Sequence, residues 1–283
     1  MLSNTKRIAI QGYPGAFHEI ASNHYHRGMD TNIVPVDTFA QLVELVESGE
    51  RVDRGLMAIE NTIAGSLLGN YQLLNDSNLH ITGEVFLRIQ QNLLALPGQR
   101  VEELTEVHSH PIAIAQCRKF FKNYPQIKLI ESLDTALSAK NIQQRQLQST
   151  GAIASSLAAE LYGMDILAAG IETNKKNITR FLVLDRSVGK QTAEQLDKVS
   201  ICFSVKHEVG SLHKVLGILV AHQANMTKVQ SVPQPGSEWK YIFFIDFILE
   251  ENSHLDFILK DLQNNTRALR ILGRYSKGKR YDR

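Results

Sequence analysis

Residues 151–184 read GAIASSLAAELYGMDILAAGIETNKKNITRFLVL, and the changes of pattern along this stretch decide the fold. It opens on small residues, Gly151-Ala152-Ile153-Ala154-Ser155, as a buried strand does. An apolar helical run follows, and the stretch closes on Asn177-Ile178-Thr179-Arg180-Phe181 at the mouth of a second strand. Strand, helix and strand in this order are the unit of an α/β protein. The closing cluster sets an amide, a hydroxyl and a permanently charged guanidinium side by side. That set suits a small anion, because Arg forks onto a carboxylate while Thr and Asn donate single hydrogen bonds. A surface turn with a solvated Arg180 is the competing reading of this cluster taken alone.

The same alternation extends in both directions. Apolar strands are predicted at 7–11, 33–36, 54–59, 85–95, 106–108, 128–131, 151–154 and 181–184, with helices at 16–26, 40–48, 67–74, 112–121, 135–144 and 157–163 between them. This predicts α/β architecture with a largely parallel sheet. The units cluster into two lobes with a central cleft, one of about 1–80 plus 178–187 and one of about 81–177. Residues 188–198 are polar, carry Gly189 and break the pattern, which marks a linker. Beyond it the order becomes strand 199–205, helix 210–222, strands 226–232 and 239–249, helix 255–264 and strand 269–273. That is the ferredoxin-like βαββαβ arrangement, over 199–277, with a basic tail at 278–283.

Composition narrows the function classes. A formal charge of +2 on 283 residues is too small to point to nucleic acid. The basic residues near the end lack interleaved aromatics and read as a solvated stretch. Cys117 and Cys202 lie in apolar runs without Cys-x-x-Cys spacing, so buried thiols are expected rather than a disulfide or metal site. No apolar run could span a bilayer and no charged-then-apolar leader opens the chain, so a cytoplasmic protein is expected.

Four strand-to-helix junctions carry the candidate chemistry, since ligands of open α/β sheets bind beyond the carboxyl ends of strands and helix N-termini favour anions. The first is the turn Gly12-Tyr13-Pro14-Gly15, which is neither a P-loop nor a dinucleotide fingerprint. The second is Glu60-Asn61-Thr62-Ile63-Ala64-Gly65, where Asn61 or Thr62 caps a helix or meets a ligand. The third is His108-Ser109-His110-Pro111, leading into a helix that carries Gln116 and Cys117. Its paired histidines lack a third metal ligand, so capping plus one His facing the cleft is expected. The fourth is the cluster from Asn177 to Phe181.

Taken in this order, the junctions resemble those of the prephenate dehydratase family, whose pattern is Gly-x-x-Gly, Glu-Asn-Ser-x-x-Gly, Ser-His-Pro-Gln-Ala-x-x-Gln-Cys and Asn-x-Thr-Arg-Phe. The resemblance covers nearly the whole chain. It implies a two-lobed, periplasmic-binding-protein-like catalytic domain, followed by a regulatory ACT domain with the ferredoxin-like pattern. Thr62 stands for the family's Ser, Ile112 for a Gln and Thr173 for an Asp, while Glu-Ser-Arg-Pro appears as Gln230-Ser231-Val232-Pro233. The implied reaction converts prephenate to phenylpyruvate with loss of carbon dioxide and water, without metal or cofactor. Arogenate dehydration and a non-enzymatic small-molecule sensor are the alternatives. The resemblance implies catalytic roles for Thr179, Glu60, Asn61, Gln116 and His110, with substrate contacts from Arg180, Phe181, Asn177, Ser109, Thr62 and Gly15. It further implies L-phenylalanine as effector, held around Gly210-Ser211-Leu212 and Asn225-Met226, and self-association as a dimer or tetramer. No nucleic-acid or membrane partner is implied.

Overall fold

Continuous runs of Ile, Val, Leu and Ala form the central strands, buried on both faces, and helical stretches open on Gly turns or short polar caps. The computed structural model describes residues 5–187, 196–234, 236, 240–249 and 255–282. In chain order the elements begin with β1 (Lys6–Gln11), α1 (Phe17–Tyr25), β2 (Thr31–Val36), α2 (Phe39–Ser48), β3 (Arg54–Asn61), β4 (Gly65–Ser66), α3 (Leu68–Asp76) and β5 (His80–Arg88). They continue with β6 (Asn92–Ala95), β7 (Glu106–Ser109), α4 (Pro111–Phe121), β8 (Lys128–Glu131), α5 (Thr135–Arg145), β9 (Thr150–Ala154), α6 (Ser156–Leu161), β10 (Asp165–Ala168) and β11 (Ile178–Asp185). The last are β12 (Lys198–Ser204), α7 (Ser211–Ala221), β13 (Asn225–Pro233), β14 (Tyr241–Ile248), α8 (Leu255–Asn265), β15 (Arg267–Tyr275) and β16 (Arg280–Tyr281).

Three sheets result. The first runs β16-β5-β11-β3-β1-β2 with β4 beside β3, the second β10-β6-β9-β7-β8, and the third β13-β14-β12-β15. The first two sheets are mixed. β1, β2 and β3 pair in parallel, while β11 runs antiparallel to both β3 and β5. The third sheet with α7 and α8 has the βαββαβ order expected from sequence. Asp134, Ser155 and Thr38 cap their helices through side-chain oxygens, as short polar residues do at N-caps. No helix among the described residues is long and apolar enough to cross a membrane.

Several expected boundaries move. The stretch 85–95, read as one strand, is two: β5 closes the first sheet and β6 opens the second, with the lobe crossing at 89–91 between them. The crossing carries Gln90, Gln91 and Asn92 but no Gly or Pro, and a hinge buried under both lobes needs no turn residue to mark it. The first lobe thus extends past 80 to Arg88. Residues 188–195 of the expected linker lie outside the described residues, and Lys198 already belongs to β12. The basic tail includes β16, whose backbone pairs with β5 in parallel, so it is not wholly a solvated extension.

The third sheet docks closely on the first. A Cβ at Gly273 in β15 would collide with the Ile81 carbonyl of β5, so only glycine permits this approach. Arg270, also on β15, donates to the Asn75 carbonyl at 2.9 Å and the Leu79 carbonyl at 3.0 Å, satisfying carbonyls at the end of α3 and just beyond it.

Candidate active site

β11 forms the spine of the site. Side chains alternate along a strand, so Thr179 and Phe181 share one face and Arg180 takes the other. Thr179 and Phe181 line a cleft of about 340 Å³ where the lobes meet, with Asn61, Gln116, His110, Asn177, His18, Gln91 and Asp134 also in its wall. α1 and α4 begin at this wall, and their free N–H groups and positive dipole ends favour anions. No lysine or arginine lines it among the described residues.

A chain of hydrogen bonds fixes the polarity of the floor. Asn61 Oδ1 accepts the Ile63 and Ala64 N–H groups, both at 2.9 Å, which settles the orientation of its amide. Asn61 Nδ2 therefore donates to Asn177 Oδ1 at 2.7 Å and Thr179 Oγ1 at 2.9 Å. Asn177 Nδ2 in turn donates to Gln116 Oε1 at 2.9 Å. With these acceptors occupied, the Thr179 hydroxyl proton and the Gln116 amide N–H groups are left for the cleft. His110 Nδ1 accepts the Ile112 N–H at 3.3 Å, capping α4, so its neutral form carries the proton on Nε2. Thr179, Gln116 and His110 thus face the cleft as donors, an arrangement for binding a small anion, with Asp134 as the carboxyl in the same wall.

The lobes are joined on both sides of the cleft. At the hinge, Ile89 donates to the Asn177 carbonyl at 2.8 Å, and buried Glu172 accepts the Gln91 N–H at 2.9 Å. Opposite, Ser155 Oγ donates to the Gly15 carbonyl at 2.5 Å and the Tyr162 hydroxyl to the Pro14 carbonyl at 2.7 Å.

Five expected contacts lie elsewhere. Arg180 is 4% exposed and faces the third sheet, where it donates to Glu84 at 2.7 Å, Asp246 at 2.6 Å and Tyr275 at 3.1 Å. Lys198 bonds both Glu84 oxygens at 2.9 Å, completing a buried cluster of two cations and two carboxylates. Glu60 also turns away from the cleft. The β3–β11 register pairs Arg180 with Glu60 but Phe181 with Ala58, so Ile59 is an inserted residue that reverses the side-chain parity beyond it. Glu60 therefore meets Lys228 of β13 at 2.6 Å. Ser109 is fully buried and donates to the Ile153 carbonyl at 2.7 Å, tying β7 to β9. Thr62 bridges the Lys176 carbonyl at 2.8 Å and the Ile178 N–H at 2.9 Å, which locks the hinge. Gly15, at φ +89°, packs against α6, where an added Cβ would lie 2.8 Å from Ala158 Cα.

His18, which the motifs did not single out, belongs to the wall. Its signal in the sequence is its position as the second residue of α1, straight after the glycine turn. Both cysteines are free and buried. Desolvation pushes the Cys117 thiol up to about 12 and Cys202 to about 11, which leaves both unreactive.

A second cavity of about 660 Å³ opens at one end of the third sheet, lined by Gly210, Ser211, Leu212, Tyr241, Phe243 and Arg267 among others. Asn225 and Met226 do not line it. They start β13, whose antiparallel pairing with β14 puts them beside Ile248 and Phe247, at the far end of the sheet from Tyr241.

The sequence profile described as prephenate dehydratase matches residues 8–188. An Arabidopsis thaliana protein named arogenate dehydratase/prephenate dehydratase 2 is 37% identical, over 95% of this chain and 72% of its own length. Among solved structures, a prephenate dehydratase from Arthrobacter aurescens in complex with L-Phe aligns with TM-score 0.86 and 25% identity, covering 96% of this chain and 90% of that one. A protein described as a novel type of quorum quenching acylase also aligns at TM-score 0.86, with 31% identity and coverage of 96% and 98%.

Proposed function

The chain belongs to the prephenate dehydratase family, and we propose that its interlobe cleft removes carbon dioxide and water from prephenate to give phenylpyruvate. The observation that carries this reading is the donor-only floor set by Asn61. Asn61 occupies the Thr179 oxygen and aims the hydroxyl proton outward, toward a leaving group. Gln116, His110 and the starts of α1 and α4 supply further donors for the substrate carboxylates. Enclosure between lobes excludes water and strengthens each of these contacts. In this reading Phe181 and Asn177 shape and orient the site, while Arg180 and Glu60 hold its strands from behind.

The assay is direct. Purified protein with a chelator is expected to turn prephenate into phenylpyruvate, followed by the ultraviolet absorbance of its enolate, and silence in that assay ends the reading. Arogenate, with an ammonium where prephenate has a keto group, runs in parallel because the Arabidopsis relative bears both names. An acylase assay runs beside both.

The second cavity supports a regulatory role for an aromatic amino acid. Leu212 and Phe243 offer apolar surface for a ring, Arg267 and Lys240 a carboxylate partner, and Glu208 an ammonium partner. We assign it to L-phenylalanine as feedback inhibitor, in a third domain of the ACT type. Within one chain the Asn225 segment lies too far away to join, so its contribution requires a second copy placed side by side. β14 connects the sites physically: Tyr241 and Phe243 line the cavity, and Asp246 on the same strand holds Arg180, the neighbour of Thr179. Calorimetry with L-phenylalanine, rate measurements and sedimentation test binding, control and pairing separately.

A further inference from the structure

Two polar atoms of the cleft residues have no partner. His18 Nε2 and Gln91 Oε1 are both covered from solvent without a hydrogen bond among the described residues. An unpaired buried polar atom is unfavourable, so each asks for a group that arrives later. Gln91 stands at the hinge, where its amide can present either end. The His18 ring packs edge-on against Phe181 with centroids 4.9 Å apart, and tilted against Phe39 at 5.5 Å. Phe181 lies two residues from Thr179 on the same strand face, about 7 Å along the strand. His18 thus lines the same cleft as the hydroxyl expected to assist the leaving group.

The reaction needs a proton. Prephenate is a dianion. As the bond to its ring carboxylate breaks, that electron pair enters the ring, carbon dioxide departs, and the ring C–O bond breaks with its pair leaving on oxygen. Phenylpyruvate is a monoanion, so the balance demands one proton to turn the departing hydroxide into water. A Thr hydroxyl is too weak an acid to be its source. His110 already bears its proton on Nε2, and taking a second at Nδ1 would sacrifice the α4 cap. Burial raises the Asp134 carboxyl even though it accepts the Leu137 N–H at 2.9 Å as the cap of α5, so Asp134 is the rival proton source that the Asp134→Asn variant below separates from His18.

We propose that His18 takes up a proton as the substrate dianion enters the cleft and delivers it, alongside Thr179, to the departing hydroxyl. The inference rests on the dehydratase reading above. In the empty cleft, desolvation pushes the His18 imidazole down to about 4, so it waits neutral. The groups that could alter this are few. His110 and Asp134 stand in the same wall. Glu19, next on α1, is committed to the Gly15 N–H at 2.7 Å. α2 and β11 present only the rings of Phe39 and Phe181. A dianion stabilises the imidazolium and raises its pKa in the complex. Between the low free value and the higher bound one, binding takes up one proton, so kcat/KM falls about tenfold per pH unit as pH rises.

The test measures kcat and kcat/KM for prephenate from roughly pH 5 to 8, the range over which a histidine charge change is read, on the wild-type chain and on His18→Gln, His18→Leu and Asp134→Asn. Folding of each variant is checked by near-ultraviolet circular dichroism. The wild type is expected to show the falling slope. Both His18 variants are expected to flatten it and lose about a hundredfold in kcat, in the range typical of a proton-transfer group. Asp134→Asn is expected to keep the slope. A flat wild-type profile overturns the proposal without any variant. So does a His18→Gln enzyme with wild-type kcat and slope, or a slope that vanishes in Asp134→Asn and survives in His18→Leu. A wild type silent toward prephenate removes the dehydratase reading and this inference together, whereas an active wild type with indifferent His18 variants removes the inference alone.

Discussion

The two faces of β11 carry opposite chemistries. Toward the cleft it shows Thr179 and Phe181, in a wall without lysine or arginine among the described residues. Toward the third sheet it buries Arg180 with Lys198, Glu84 and Asp246. The face proposed to receive a dianion is the one without a permanent cation. A guanidinium in the cleft would hold the substrate carboxylate as tightly in the ground state as in the transition state, and binding both equally lowers KM without raising kcat. Oriented donors and helix dipoles attract the anion more gently and leave the departing product free. The permanent charges serve where nothing has to leave, between two sheets that stay together.

Breaking the charged face gives the largest expected effect. Arg180→Ala leaves Asp246 buried without its cation, while Glu84 keeps only Lys198, and removing one member of such a cluster costs about 3–5 kcal/mol. Chemical denaturation is expected to show that loss, with KM little changed in protein that remains folded. A large rise in KM without a loss of stability would return Arg180 to substrate binding. The cleft face is next. Thr179→Val keeps the shape and the strand while removing the hydroxyl, and a fall in kcat of about a hundredfold is expected with stability nearly intact. A near-normal kcat would move the chemistry away from this side chain. The smallest effect belongs to the boundary between the faces. Lys228→Met removes the partner of Glu60 at a partly buried pair, 17% and 30% exposed, and a loss of about 1 kcal/mol is expected in thermal unfolding. Equal stability in Lys228→Met and Arg180→Ala would erase the distinction drawn here.

Much of this was legible in the order of residues. The alternation of short strands and helices, the βαββαβ tail domain and the meeting of Asn61, His110, Gln116, Asn177 and Thr179 at one cleft all follow local patterns. What escaped was parity. Alternation along β11 says that Thr179 and Arg180 face opposite ways, yet nothing local says which side holds the cleft. Glu60 and Asn61 are neighbours and must face opposite ways, yet which of them meets the cleft is set by the inserted Ile59, which leaves no mark in composition. Val232, where the family pattern has Arg, is buried with Leu182, Tyr71 and Phe244 in the packing between the third and first sheets. That substitution is read as repacking once the two sheets are seen in contact. His18 escaped because a histidine in the first turn of a helix looks like any other surface residue until its neighbours are known.

The placing of β11 has a consequence for the newborn chain. β11 sits between β5 and β3 in the first sheet, yet it is encoded after the whole of the second. A ribosome that has delivered everything through β5 has made the strands on either side and not the one that joins them. β5 then waits without either of its neighbours, and an unpaired strand edge invites the wrong partner. The second sheet comes from one contiguous run and completes itself first. The edges of β5 and β3 that await β11 are the surface where a chaperone has most to protect.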